Sequence, residues 1–162
     1  MQWNEKIDLL KKTHDAKAFS TSLMDRKNIL REIETKFIAR PAQYYTGQES
    51  RVRFSDWWSY IKSPAVRSLS TSASLLLEKI LKPQESYWIA CEFSTSIKLY
   101  KAEVKALTDL IAIGQTWTNT YHIVQPKYKY LIALMILKNK VDLKLVEAPK
   151  EILHKIDAIV SK

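Results

Sequence analysis

Only two glycines occur among 162 residues. Glycine-rich phosphate loops, collagen-like repeats and flexible Gly/Ser linkers are therefore excluded, and dinucleotide or P-loop chemistry has no basis in the sequence. A single cysteine, Cys91, permits no intramolecular disulfide and gives no sign of an oxidising compartment, so a cytoplasmic address is expected. Long apolar runs are also missing. The longest, residues 130–137, breaks at Lys138, and the charges within MQWNEKIDLLKK leave no signal-peptide core, so no membrane partner is expected. His14, His122 and His154 are scattered without metal-ligand spacing, and no G-x-S-x-G context surrounds the serines of SPAVRSLSTSAS. The expectation is a protein with no metal, no cofactor and no catalytic residue.

What is present is enough apolar material for a packed core. Hydrophobic residues make up 46% of the chain, aromatics 10% and charged residues 27%, a globular and not a disordered composition. Splitting the chain into two cores of about 80 residues would leave each marginal, so one domain is expected over residues 1–162. Within it we expect a helical part at 1–40, a loop at 41–54 and a sheet-and-helix core at 55–162. Lys and Arg total 26 against 17 Asp and Glu, a net charge of +9, which suits an acidic partner. The excess is spread along the chain, so only folding can gather it into a patch.

Periodicity orders the elements. Trp3, Ile7, Leu10 and Phe19 suggest a first helix with Asn4 as its cap, and Ile29, Leu30, Ile33, Phe37 and Ile38 form the apolar face of a second, capped by Asp25. Arg40 and Pro41 end it. A short helical turn capped by Ser55 or Asp56 follows through Trp57, Trp58, Tyr60 and Ile61 and stops at Pro64. Residues 65–70 read as a strand. Ser72 caps a helix with Leu75, Leu76, Lys79 and Ile80 in register, which Pro83 closes. Residues 87–91 and 96–100 read as an antiparallel strand pair. A helix follows, with Val104, Leu107, Leu110 and Ile111 inward, Glu103, Lys105, Thr108 and Asp109 outward, and Gly114 as C-cap. Strands at 120–124, 130–137 and 141–146 are joined by turns at Gln125-Pro126-Lys127 and Asn139-Lys140, and Pro149 opens a last helix with Ile152, Leu153, Ile156 and Ile159 inward. Such short connections require antiparallel pairing. The class is α+β, a mainly antiparallel sheet of five to six strands with helices packed on it and a helical N-terminal segment.

Candidate chemistry is sparse. Cys91 with His122 is conceivable as nucleophile and base, but a cysteine at the end of an apolar strand reads first as a small core residue. Glu147 and Glu151 share a face of the last helix, where carboxylates complement the helix dipole. Aromatic residues beside positive charge are more informative: Tyr44, Tyr45, Arg51 and Arg53 lie just before Trp57 and Trp58. Trp, Tyr and Arg are interface anchors in protein complexes, and in nucleic-acid binding the rings stack on bases while arginines meet phosphate. At least one of the adjacent tryptophans should pack in the core. In YHIVQPKYKYLIAL, strand alternation places Lys127 and Lys129 on one face and Tyr128 and Tyr130 on the other, in a solvated hairpin.

From Ile29 to Val146 the chain resembles a small bacterial family found among toxin and immunity genes, of unknown biochemical activity. The resemblance lies in the WW-x-Y turn at Trp57, the YWIA strand at Tyr87, the IKLYKAEVKALTDLI segment and YHIVQPKYKYLIAL. The family's histidine-histidine-aspartate after that last strand reads KNKVD here, which keeps only Asp142, so no catalytic residue carries over. The resemblance implies an immunity-like, non-catalytic protein that binds a cognate toxin with an acidic contact surface. A basic nucleic-acid-binding module is the alternative. Tyr44, Tyr45, Arg51, Arg53, Trp57, Trp58, Lys127 and Lys129 are the candidate partner-binding residues under either reading.

Overall fold

Alternation along each strand divides the central sequence between two apolar surfaces, and helices cover both. The computed structural model describes residues 2–21, 23–39, 54–93 and 96–160. Its elements are α1 (Trp3–Thr13), β1 (Phe19–Ser20), α2 (Arg26–Phe37), β2 (Ala65–Leu69), α3 (Ala73–Ile80), β3 (Ser86–Phe93), β4 (Ser96–Glu103), α4 (Val104–Gly114), β5 (Thr120–Val124), β6 (Leu131–Leu137), β7 (Lys140–Val146) and α5 (Lys150–Val160). All strands join one antiparallel sheet of seven in the order β1-β4-β3-β5-β6-β7-β2. The α+β class and the antiparallel sheet are as expected, with one more strand than the sequence indicated.

One face carries Tyr87, Ile89 and Cys91 of β3, Tyr121 and Ile123 of β5, Ile132 and Leu134 of β6 and the odd-numbered positions of β7, packed under α1, α3, α4 and α5. The other carries Ala90, Leu99, Val124, Leu131, Ala133 and Val146, packed under α2 and the turn around Trp57. Neighbouring residues of one strand therefore serve different cores, as the two-residue period requires. This explains why the central strands are nearly all apolar while β7 retains Asp142 and Lys144.

Several expectations are corrected. Phe19 belongs to no helix: α1 ends at Thr13, and Phe19 pairs with Ala102 as a two-residue edge strand that helical spacing could not reveal. Gln2, not Asn4, occupies the N-cap position of α1, and Asp25 precedes α2 in a left-handed conformation without a side-chain cap bond. Ser72 does cap α3, accepting from the Leu75 amide, but Leu75 is 57% exposed and Leu77 is buried in its place. Thr108 faces inward with its hydroxyl donating to the Lys105 carbonyl. Gly114 is the last residue of α4 and has no positive φ; its lack of a side chain matters because Tyr121 and Trp3 press against it. The β6–β7 turn is Lys138-Asn139, since Leu137 pairs with Lys140. Glu147 lies before α5 in a left-handed conformation, so it shares no helix face with Glu151.

Candidate functional site

The WW pair sits in a tightly wound stretch of the chain. Two 3-10 turns, Phe54–Asp56 and Trp58–Tyr60, flank Trp57, and successive side chains on so tight a spiral point about 120° apart. Trp57 consequently turns inward and is 0% exposed, whereas Trp58 is half-buried at the surface. The turn is held to the end of α2: the Ala39 amide donates to the Tyr60 carbonyl, the Lys62 amide to the Phe37 carbonyl, and Ile38 bridges to Ile61.

Beneath it, His122 lies in a row across the sheet, paired with Ala90 on one side and Ala133 on the other, with Lys144 beyond Ala133. The two alanines leave room for large rings. Trp57 and Phe54 stand edge-on to the imidazole at centroid distances of 5.5 and 5.2 Å. Neither ring nitrogen of His122 nor the Trp57 indole nitrogen has a hydrogen-bond partner among the described residues. Burial, with Lys144 nearby, pushes the His122 pKa down to about 3, so the imidazole is neutral at ordinary pH.

Lys144 serves the other tryptophan. Its ammonium donates to the Trp58 carbonyl at 2.7 Å and lies 4.7 Å from the Trp58 ring centroid, and burial lowers its pKa. Backbone and ring of Trp58 are thus both fixed from below. Trp58 then borders a cleft of about 380 Å³ together with Phe54, Glu92, Trp117, Asn119 and Met135. Ser55, Ser59, Thr118 and Thr120 line it as well. Trp117 is held edge-on against Trp3 and Phe93 at 5.6 and 5.8 Å. Glu92 is half-buried and has no hydrogen-bond or ion-pair partner among the described residues.

Lys127 and Lys129 lie elsewhere. Residues 126–130 form a turn and not a strand, because Tyr128 takes a left-handed φ of 56° and the Gln125 side chain gathers the loop. Gln125 Oε1 accepts from the Lys127 and Lys129 amides, and Gln125 Nε2 donates to Glu85, whose other oxygen accepts from the Tyr87 hydroxyl. Both lysine side chains are exposed, and Lys129 borders a second cleft, of about 380 Å³, that also contains Glu85, Glu147, Glu151 and Lys82. The five-residue strand β5 runs between the two clefts, separating them by roughly 15 Å at about 3.3 Å per residue.

Of the sequence-derived candidates, Trp57 is core, Trp58 borders the aromatic cleft, and Lys127 and Lys129 are at the far end of β5. Tyr44, Tyr45, Arg51 and Arg53 lie outside the described residues. Cys91 and His122 do not meet: Cys91 pairs with Tyr121, so the thiol and the imidazole project from opposite faces of the sheet. Burial also pushes the thiol up to about 12, far from a reactive thiolate. Glu92, Trp117 and Lys144 were not singled out from sequence. Their signal was weak: a carboxylate interrupting the apolar run of β3 and a lysine interrupting β7. His14 and Asp109, also missed, pair at 2.9 Å across 95 positions of sequence. No group of three or more His, Cys, Asp or Glu among the described residues is placed to hold a metal ion. No described helix is long and apolar enough to cross a membrane.

No protein-family model and no curated protein matches this chain.

Proposed function

We propose that this protein is an immunity-like inhibitor that neutralises a cognate bacterial toxin by non-catalytic binding. The observation that carries the reading is the fixed, half-buried Trp58 at the rim of the cleft, clamped by Lys144 through its carbonyl and its ring. A tryptophan that is already ordered loses little side-chain entropy on docking, and such residues dominate interface energies. The +9 net charge adds electrostatic attraction to a toxin with an acidic contact surface and speeds encounter. The nucleic-acid alternative draws less support from the described surface: Lys127 and Lys129 lie far from Trp58, and Lys129 faces a cleft with three glutamates.

The test begins with affinity capture of the tagged protein from nuclease-treated native lysate, washed at low and then high salt. One stoichiometric protein surviving both washes is expected. Expressed alone, that protein should arrest growth, and co-expression with this chain should restore it. Trp58→Ala should weaken the complex by about 2 kcal/mol or more, about thirtyfold, as for a central aromatic anchor. Loss of all partners after nuclease or salt overturns the reading and favours nucleic-acid binding.

A further inference from the structure

The Trp58 cleft holds a carboxylate within reach of two indole rings. Among the described residues that line it, the one that carries a charge is Glu92, a half-buried carboxylate with no partner among them, in a chain carrying +9. An unpaired carboxylate partly removed from water is costly, and a cation entering the cleft offsets that cost. Two tryptophans, Trp58 and Trp117, border the same space, and their ring faces attract cations. Trp58 already does so in this structure, with the Lys144 ammonium 4.7 Å from its centroid. Because Lys144 is tied to the Trp58 carbonyl, a second cation is directed away from it, toward Glu92 and Trp117.

We infer that this cleft is a receptor for an arginine side chain presented by the protein partner. The inference rests on the protein-binding reading above and names the chemistry by which that partner is anchored. Arginine fits better than lysine. A planar guanidinium stacks on indole while its fork meets a carboxylate with two parallel hydrogen bonds, and it gives up its hydration more readily than an ammonium. Ser55, Ser59, Asn119 and Thr120 border the cleft, where their oxygens can accept from the remaining guanidinium N–H groups. A single arginine within an otherwise acidic toxin surface would set the register of the complex, since dockings that bring an acidic residue against Glu92 are penalised by like-charge repulsion.

The test uses the full chain, labelled with nitrogen-15, and N-acetyl-arginine methylamide as the probe. The uncharged near-isostere N-acetyl-citrulline methylamide is the control. The indole N–H signals of Trp58 and Trp117, assigned with Trp58→Phe and Trp117→Phe, are followed to about 50 mM probe. The arginine probe should shift both signals saturably and bind about fivefold or more tightly than citrulline. Glu92→Gln, which keeps the shape of the side chain, should remove most of that preference while leaving the rest of the spectrum in place. Equal responses to the two probes, no response, or an arginine response unchanged in Glu92→Gln each overturn the inference. The two readings fail separately. If a captured toxin binds Glu92→Gln as tightly as the parent protein, the arginine receptor falls and toxin binding stands; if arginine binds but no toxin is neutralised, toxin binding falls and the cleft's chemistry stands.

Discussion

Gly114→Ala sets two known effects against each other, and the structure decides which is larger. Alanine in place of glycine within a helix normally stabilises by about 1 kcal/mol. At Gly114, however, an added Cβ would lie 2.5 Å from the Tyr121 hydroxyl oxygen, well inside contact distance, with Trp3 ring carbons at 3.5 Å. Tyr121 is 0% exposed and its hydroxyl donates to the Thr118 carbonyl at 3.2 Å, so the ring cannot swing into solvent. Displacing it costs about 1–3 kcal/mol for overpacking and about 1–3 kcal/mol more if the hydroxyl loses its partner while still buried. With both costs incurred and the helix gain subtracted, the net expectation is destabilisation by about 1–5 kcal/mol. Tyr121→Phe removes the obstructing atom and leaves only the ordinary 3.5 Å contacts to Trp3. In that background Gly114→Ala should be neutral or stabilising by up to about 1 kcal/mol, so the coupling energy should be at least about 1 kcal/mol and at most about 6 kcal/mol. Urea unfolding of the four proteins measures it, with the slope of each transition checked for constancy. A stabilising single Gly114→Ala, or the same cost in both backgrounds, would refute the packing argument.

Three other outcomes follow from the sites described. His122 has a folded pKa of about 3, below its unfolded value near 6.5, so the unfolded chain binds the extra proton between those values and stability falls as the pH is lowered through that window. The loss attributable to His122 should reach about 2 kcal/mol by pH 5; denaturation across pH should show His122→Leu lacking that slope, and identical slopes would count against a neutral buried imidazole. Cys91 should react with a thiol reagent only as fast as the protein unfolds, because the side chain is buried and its thiol is held up to about 12, and immediate labelling of the native protein would contradict this. Lys144→Met should cost about 1–2 kcal/mol by losing the bond to the Trp58 carbonyl and the ring contact. It should also shift tryptophan emission to the red as Trp58 becomes mobile, and an unchanged spectrum would mean that Lys144 does not hold the ring.

Much of the architecture was legible because it is written in short-range periodicity. The three- and four-residue spacing of Ile29, Leu30, Ile33 and Phe37 forms one stripe on any helix, and the alternation of Val141, Leu143 and Leu145 forms one face on any strand. Six of the seven strands and all five helices among the described residues could be read from such spacing or from runs of apolar and β-prone residues. The seventh strand could not, since two residues at Phe19 carry no period and become a strand only because β4 offers an edge. Nor could the conformation at Lys127 and Lys129: the left-handed Tyr128 and the Gln125 side chain replace the pleat that alternation assumes.

By itself, then, the sequence determined the elements other than β1, the α+β class, the single buried thiol and the placing of one tryptophan of the pair in the core, because these follow from each residue and its neighbours within a turn or two. Tertiary structure alone decided the strand order, the separation of Cys91 and His122 onto opposite faces, and the meeting of Glu92, Trp58 and Trp117 at one cleft. Those outcomes depend on register between segments far apart in the chain, where shifting a pairing by one residue exchanges the two faces of a strand. Local spacing holds no record of that choice; it is made by the fit of the two cores on either side of the sheet.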